Sequence, residues 1–247
     1  MRIVQAKDYQ DLSRKAAGFI AAQVVQKPDS VLGLATGSSP LGVYRQLVAW
    51  HREDGLDFGR CRTVNLDEYA GLTPDSPQSY AYFMQENFFR HVNLDVRNLH
   101  IPRGDSPDPQ AECRRYDRLL DSLGGIDLQL LGIGLNGHIG FNEPGDTQER
   151  DTHCVALTPS TIEANARFFD PGQQMPTHAY TMGLRPIMTA RRILLIASGE
   201  AKADIVAEMI CGKITTAVPA TLLQLHRNAT VVADREALSR VPAELLG

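Results

Sequence analysis

The chain has 247 residues, of which 25 are Lys or Arg and 29 are Asp or Glu, so its formal net charge is −4. Apolar residues make up 43% and charged residues 22%, which is typical of a globular protein. The negative charge gives no general attraction to nucleic-acid phosphates, and no apolar run approaches the roughly 18 residues that span a bilayer. We therefore expect partners that include neither nucleic acid nor a membrane.

The cysteines and the N-terminal segment both favour a cytoplasmic protein. Four cysteines are widely spaced and form no C-x-x-C pair, so neither a disulfide framework nor a zinc ribbon is expected. Arg14 and Lys15 precede the apolar run 16–25 in the manner of a signal peptide, but acidic residues lie upstream and Gln23 interrupts the run. We predict a buried amphipathic helix here instead.

Short apolar runs alternate with longer amphipathic stretches along the chain, which is typical of βαβ units and a parallel sheet. In chain order the pattern predicts a strand at 31–35, a helix through 50, a strand at 62–66, a helix at 78–91, an extended segment at 98–101, a helix at 109–123, a central strand at 126–133, a helical pattern at 160–167, a strand at 193–197, a helix at 200–210, a strand at 229–233 and a short helix at 235–239. The sheet is expected to begin by Val31.

The fold class that we predict is α/β: an open, doubly wound, mostly parallel and Rossmann-like sheet with helices on both faces. No linker divides the chain, so residues 1–247 are expected to form a single catalytic domain. The stretch 144–176 is less regular and is interpreted as a lid segment over a site.

A first candidate site is the loop of Thr36, Gly37, Ser38 and Ser39, which lies where a strand passes into a helix. Helix N-termini present unpaired N–H groups, Gly37 permits close backbone approach, and Pro40 suits the start of the helix. The loop lacks the lysine of a Walker A motif. Phosphate binding and a plain turn with a serine N-cap are both compatible with this segment alone.

A second candidate is Asp67, which follows the predicted strand 62–66 directly before Glu68. Ligands gather at the carboxyl ends of strands in open α/β sheets, and a partly desolvated carboxylate there can act as a general base. Neighbouring strand residues point in opposite directions, so the two acids are expected to have different roles. The alternative is a helix cap or a turn acid.

The richest segment is the loop 132–144, which follows the predicted central strand. Gly132, Gly134 and Gly137 satisfy G-x-G-x-x-G, but the later Gly and Pro residues argue against the helix that a dinucleotide fingerprint requires. His138 and Glu143 lie close together on this loop, and a His–carboxylate pair suits proton transfer near neutral pH.

Two separated cations complete the candidates. Arg167 ends the helical pattern 160–167, and Lys202 opens the helix that follows the strand 193–197. Each is ordinary surface charge unless the fold brings both to one ligand.

Taken together, these segments resemble the glucosamine-6-phosphate deaminase family from Val31 to about Glu236. The most specific stretches are 32–37, 64–72, 137–144 and 164–169. The resemblance implies conversion of glucosamine 6-phosphate and water to fructose 6-phosphate and ammonia, without a cofactor or a metal. The substrate is then a small-molecule sugar phosphate.

The resemblance also implies roles for individual residues. Asp67 would be the base that moves a proton between C2 and C1, and His138 would assist ring opening with Glu143 as its partner. The phosphate would be held by the loop 36–39 together with Arg167 and Lys202.

The chain departs from the family pattern in three places. The phosphate loop reads Gly-Ser-Ser-Pro, where two glycines and a threonine are more usual, and the change keeps its hydroxyl groups. Asn136 stands where some members carry Asp, so His138 relies on Glu143 alone for a carboxylate and a different pH profile is expected. Longer members respond to N-acetylglucosamine 6-phosphate through basic residues that follow the Asn-Glu-Pro loop, whereas the matching positions here are His153 and Val155. The chain thus resembles the shorter, non-allosteric branch, and we expect a monomer or a small homo-oligomer.

Three alternatives remain open on the sequence alone. A 6-phosphogluconolactonase would share the fold, and a deaminase for galactosamine 6-phosphate would differ in the contact to one hydroxyl. A non-catalytic sugar-phosphate sensor would normally carry an N-terminal helix-turn-helix, for which the predicted sheet leaves no room.

Overall fold

A seven-stranded sheet forms the centre of the molecule, whose computed structural model describes residues 1–158, 162 and 175–246. The strands in chain order are β1 (Arg2–Ala6), β2 (Val31–Leu34), β3 (Arg62–Asn65), β4 (Asp67–Tyr69), β5 (Leu99–His100), β6 (Leu128–Leu131), β7 (His153–Ala156), β8 (His178–Thr181), β9 (Ile193–Ala197) and β10 (Ala229–Asp234). The large sheet has the order β1-β10-β9-β6-β2-β3-β5, and every pair in it is parallel. The predicted parallel sheet with 126–133 at its centre is therefore confirmed.

The helices of the described residues are α1 (Tyr9–Gln26), α2 (Leu41–Asp54), α3 (Tyr80–Asn87), α4 (Pro109–Ser122), α5 (Leu184–Met188) and α6 (Ala203–Cys211). Local sequence explains where three of them begin, because Asp8, Ser79 and Asp108 each accept a hydrogen bond from the N–H group three residues later. Such caps satisfy N–H groups that have no partner within the helix. No helix in this described part of the chain is both long and apolar enough to cross a membrane.

The core lies on both faces of the large sheet. Every residue of β2, β6, β9 and β10 is buried, and consecutive strand residues point to opposite faces, so both faces are covered. Helix α1 packs against β1, β9 and β10 and also against α2. The predicted doubly wound α/β architecture is thus the one observed.

The packing between β2 and β6 depends on a residue without a side chain. Gly33 pairs with Gln129 in the parallel register, and a Cβ atom at position 33 would lie 2.0 Å from Gln129 Oε1. The Gln129 side chain is fully buried and its Nε2 donates to the Leu130 carbonyl at 2.8 Å. The space that Gly33 leaves is therefore filled by this glutamine.

A second, antiparallel sheet has the order β4-β8-β7 and lies beside the large sheet. Asp67 opens β4 opposite Thr181, and a small apolar cluster of Tyr69, Phe141, Leu157 and Ala179 packs against this sheet. Tyr80 stacks on Phe141 with ring centroids 6.2 Å apart. This small sheet places Asp67 at the edge of the main core.

Four sequence predictions require correction or fall outside the described residues. The large sheet begins with β1, before Val31, and the residues 235–239 form turns rather than a helix. The proposed lid stretch 144–176 is described only at 144–158, 162 and 175–176, where it contains β7, so the lid stays a prediction. The helical pattern 160–167 lies outside the described residues, except for Ile162.

Candidate active site

The candidate site segments follow four neighbouring strands of the large sheet. The loop 36–39 follows β2, Asp67 comes shortly after β3, the loop 132–144 follows β6, and Lys202 comes after β9. Because β9, β6, β2 and β3 are adjacent and parallel, their carboxyl ends share one edge. The topology therefore brings together segments that are distant in sequence.

The loop 36–39 forms a sharp turn before α2. Gly37 has φ +95°, a left-handed conformation that favours glycine. Pro40 has helical dihedral angles at the start of α2, and no serine of this loop caps the helix, so the alternative of a serine N-cap is wrong. The Thr36, Ser38 and Ser39 side chains therefore do not occupy the first N–H groups of α2.

A residue that the sequence analysis missed holds this loop in place. The Tyr9 hydroxyl accepts from the Gly42 N–H at 2.8 Å and lies 3.0 and 3.1 Å from the carbonyl oxygens of Ser38 and Ser39. Tyr9 is the first residue of α1, so this hydroxyl joins α1 to the start of α2.

Asp67 is a buried carboxylate with an unused oxygen. Its exposed fraction is 7%, and Oδ1 has no hydrogen-bond partner within the described part of the chain. Burial, together with the negative charge of Glu68, raises the pKa of Asp67 to about 8. Such a carboxylate is a stronger base than an exposed one once it has lost its proton.

Glu68 has a different environment, as the alternation of strand residues leads one to expect. Its Oε1 accepts from the N–H groups of Tyr69 at 2.8 Å and Tyr80 at 2.9 Å, and its Oε2 accepts from that of Ala81 at 2.8 Å. Burial raises the pKa of Glu68 to about 7, while these three donors act in the opposite direction. Glu68 thus caps the N-terminus of α3 and joins β4 to this helix.

Gly134 and Gly137 of the loop 132–144 leave space for neighbouring side chains, which is a different role from that of glycines in a dinucleotide fingerprint. A Cβ atom at Gly134 would lie 2.4 Å from the His138 ring, and one at Gly137 would lie 2.5 Å from Val218. No helix begins at Gly137, whose φ is +85°. The prediction that no helix opens at the third glycine is therefore confirmed, and Gly134 provides the space in which the imidazole lies.

His138, Asn136 and Glu143 meet on this loop. His138 Nδ1 lies 3.3 Å from Glu143 Oε1, although the geometry falls outside that of a hydrogen bond. Asn136 Nδ2 donates to Glu143 Oε2 at 2.7 Å, and Asn136 Oδ1 accepts from the His138 N–H at 3.2 Å. Asn136 therefore connects the carboxylate to the backbone of the histidine.

The loop also touches the strand that carries Asp67. A Cβ atom at Gly140 would lie 2.9 Å from Thr181 Oγ1 and 3.8 Å from Asp67 Oδ2, and Thr181 Oγ1 accepts from the Phe141 N–H at 3.0 Å. Gly140, with φ +62°, allows this close approach. In the sequence Gly140 argues only against a helix, and Thr181 carries no local signal, because the approach is created by the pairing of β4 with β8.

Lys202 joins the same region, whereas Arg167 lies outside the described residues. Lys202 Nζ donates to the Ile133 carbonyl at 2.7 Å, on the loop that carries His138. Burial lowers the pKa of Lys202, as desolvation does for an ammonium group. No three His, Cys, Asp or Glu side chains within residues 1–158, 162 and 175–246 are grouped as metal ligands.

Comparison with known proteins adds to this geometry. Residues 6–232 match the model of the family described as glucosamine-6-phosphate isomerases and 6-phosphogluconolactonase. The chain belongs to this family. A Geobacillus protein named glucosamine-6-phosphate deaminase is 56% identical over 244 residues, which cover 99% of this chain and 97% of that protein. A relative of the same name from Lachnoclostridium phytofermentans is also 56% identical and covers 94% of this chain and 98% of its own length.

Solved structures agree with the fold. A monomeric glucosamine-6-phosphate deaminase superposes with a TM-score of 0.94 at 48% identity, covering 97% of this chain and 100% of its own. A 6-phosphogluconolactonase from Trypanosoma brucei gives a TM-score of 0.78 at 20% identity, covering 98% of each chain. The second likeness concerns the fold alone.

Proposed function

We propose that the chain converts glucosamine 6-phosphate and water to fructose 6-phosphate and ammonia. The observation that carries this proposal is Asp67, a buried carboxylate with an unpartnered oxygen next to the His138 loop. Proton transfer between two carbons needs one positioned carboxylate, and opening of the sugar ring needs a separate acid–base group. Relatives at 56% identity over almost the full length carry the name of this activity.

Phosphate binding is assigned to the loop 36–39 and Lys202, with Arg167 as a further cation. The N–H groups at the start of α2 and the Lys202 ammonium both favour an anion. The phosphate is remote from the reacting carbons, so its binding energy orients C1 and C2 rather than reacting with them.

The chemistry is assigned to Asp67, His138, Glu143 and Asn136. His138 moves a proton between the ring oxygen and the anomeric hydroxyl as the ring opens, and Glu143 stabilises the charged imidazole. Asp67 then removes the proton from C2 and returns it to C1, while the C1 oxygen gains a proton and the amine loses one, which leaves an imine at C2 and a hydroxyl group at C1. Water adds to that imine, the amine leaves as ammonia, and the C2 ketone of fructose 6-phosphate remains.

The assembly and the cellular location belong to the same proposal. All four cysteines are free thiols, which supports a reducing compartment, and we place the enzyme in the cytoplasm as part of amino-sugar catabolism. The relative that superposes with a TM-score of 0.94 is described as monomeric, which supports a monomer here.

The substrate is tested by an ammonia-release assay with glucosamine 6-phosphate and galactosamine 6-phosphate, beside a hydrolysis assay with 6-phosphogluconolactone. We expect turnover of the first compound. Faster turnover of either other compound would replace the proposal by that activity.

The role of Asp67 is tested by Asp67→Asn, which keeps the shape of the side chain but removes the base. We expect ammonia release to fall by about 10²–10⁴-fold, the usual contribution of a positioned acid–base group. Binding of fructose 6-phosphate, measured by calorimetry, should stay within a few-fold of the wild type. The control is Asp75→Asn at an exposed position before α3, and retained turnover in Asp67→Asn would contradict the assignment.

A further inference from the structure

Asp234 is a buried carboxylate at the same edge of the sheet, and the proposed chemistry does not use it. It ends β10 and is 4% exposed. In the parallel register Ala233 lies beside Ala197, so Asp234 lies beside Ser198, the first residue after β9. A buried carboxylate is tolerated only when hydrogen bonds satisfy its oxygens.

The partners of Asp234 come mainly from the turn that follows β9. Its oxygens accept from the Ser198 hydroxyl, from the Gly199 N–H at 3.1 Å and from the Ala237 N–H at 2.9 Å. Gly199 has φ +89°, so this turn adopts a left-handed conformation at the point where the carboxylate holds it. The bonds therefore join the end of β10 to the turn after β9.

This turn leads directly to Lys202. The Lys202 N–H donates to the Gly199 carbonyl at 3.0 Å, within a short 3-10 turn at Glu200–Lys202. No side chain of the described residues caps that turn or the start of α6. The Lys202 side chain is half-buried and reaches the Ile133 carbonyl. The direction in which the ammonium points thus depends on the turn that Asp234 holds.

We propose that Asp234, acting through Ser198 and Gly199, is a positioning residue that aims the Lys202 ammonium at the phosphate ester of the substrate. This inference rests on the proposed function, because it assigns the phosphate to Lys202. Asp234 itself does not touch the substrate. Its loss weakens substrate binding only as far as Lys202 contributes to that binding.

A double-mutant cycle tests this coupling. The variants are Asp234→Asn and Ser198→Ala, each made in the wild type and in Lys202→Met, and the matched control is Asp204→Asn, an 87% exposed acid on α6. The measurements are KM and kcat for glucosamine 6-phosphate and the Kd of fructose 6-phosphate by calorimetry. Thermal melts report folding separately, and Ser198→Ala supplies a mild variant if Asp234→Asn folds poorly.

We expect Asp234→Asn to raise KM and Kd about tenfold, which corresponds to the loss of about one hydrogen bond to a charged group, and Ser198→Ala to raise them less. In the Lys202→Met background, neither substitution should change KM or Kd by more than about twofold, because the effects of substitutions at coupled residues are not additive. Asp204→Asn should match the wild type. A purely structural role of Asp234 would lower the melting temperature and leave KM unchanged.

The outcomes separate the two proposals. Unchanged KM and Kd in both single variants, or an equal increase with and without Lys202, would overturn the positioning role. A wild type that binds fructose 6-phosphate but releases no ammonia would refute the proposed reaction, while the cycle of Kd values would still decide the role of Asp234. A wild type that shows neither would overturn both.

Discussion

At the scale of single residues, Asp67 combines burial with an oxygen that has no hydrogen-bond partner among the described residues, which a side chain selected for stability alone would not retain. Its exposed fraction is 7%, and three N–H donors bind the neighbouring Glu68 rather than Asp67. Folding therefore leaves Asp67 with a carboxyl group that holds its proton more strongly than in the unfolded chain.

The effect of the buried Asp67 on the stability of the fold depends on pH. The pKa of Asp67 is about 8 in the folded protein and about 3.9 in an unfolded chain, so only the folded state holds this proton between those values. The stability due to this group is thus complete below pH ~4 and is lost as the pH rises through about 8. Asp67→Asn has no carboxyl group at this position, so its stability does not show this loss as the pH rises.

We expect the melting temperature of Asp67→Asn relative to the wild type to rise steadily in scans at pH 5, 7 and 9. A shift of about 2–4 °C accompanies each kcal/mol in a chain of this size. Asp75→Asn, at an exposed position, serves as the control. A difference that does not change with pH would mean that Asp67 is not the group that titrates.

Asn136 permits a second residue-scale prediction. In Asn136→Asp a second carboxyl group would lie where the amide now donates to Glu143 Oε2 at 2.7 Å. Two carboxyl groups so close share a proton, and the pair loses it at a higher pH than an isolated acid does. We expect the acid limb of the kcat/KM profile to move upward by about one pH unit.

Asn136→Ala gives the matched comparison, because it removes the donor without adding a charge. It should lower the rate with a smaller movement of the acid limb. An unchanged profile in Asn136→Asp would show that Glu143 does not support His138 during the reaction.

At the scale of helices and strands, continuous apolar runs made most of the large sheet predictable. The strands at β2, β3, β6, β9 and β10 were predicted within a few residues because both faces of each are covered. No continuous apolar run predicted β1, β4, β7 or β8. β4 consists of Asp, Glu and Tyr, and its acids are poor strand formers whose burial depends on partners distant in the chain.

Part of the candidate site could likewise be predicted from local sequence pattern, and part could not. The positions of Asp67, His138, Glu143 and the loop 36–39 after strands could be inferred from local pattern. The contacts made by Tyr9, Gly140 and Thr181 could not, since each depends on the pairing of elements far apart in sequence. Asp234 does carry a local signal, an acid directly after an apolar strand, which is the signal that identified Asp67.

Two glycines provide a prediction at the same scale. A Cβ atom at Gly33 in β2 would lie 2.0 Å from Gln129 Oε1, whereas one at Gly18 within α1 would meet nothing within 4 Å. We expect Gly33→Ala to reduce the free energy of unfolding by about 1–3 kcal/mol through overpacking, and Gly18→Ala to raise it by about 0.5–1 kcal/mol. Urea denaturation measures both, and equal effects would contradict the close packing.

At the scale of the whole molecule, the chain resembles the shorter branch of its family. Positions 153 and 155 lie on β7 and carry His and Val, whereas the family resemblance implies basic residues there in members that respond to a regulatory ligand. We expect hyperbolic kinetics that N-acetylglucosamine 6-phosphate does not change, and a mass of one chain in light scattering. Sigmoidal kinetics that this ligand makes hyperbolic would contradict the prediction.

The two sheets meet at Leu66, a single buried residue between β3 and β4. Its N–H donates to the Leu34 carbonyl at 3.1 Å, and its carbonyl accepts from the Met182 N–H at 2.7 Å. The proposed base, Asp67, thus lies on the small sheet, while His138, Lys202 and the loop 36–39 follow strands of the large one. If these residues act as proposed, rate and affinity are open to separate evolutionary adjustment, because a change in the small sheet can move Asp67 while the proposed phosphate site stays in place.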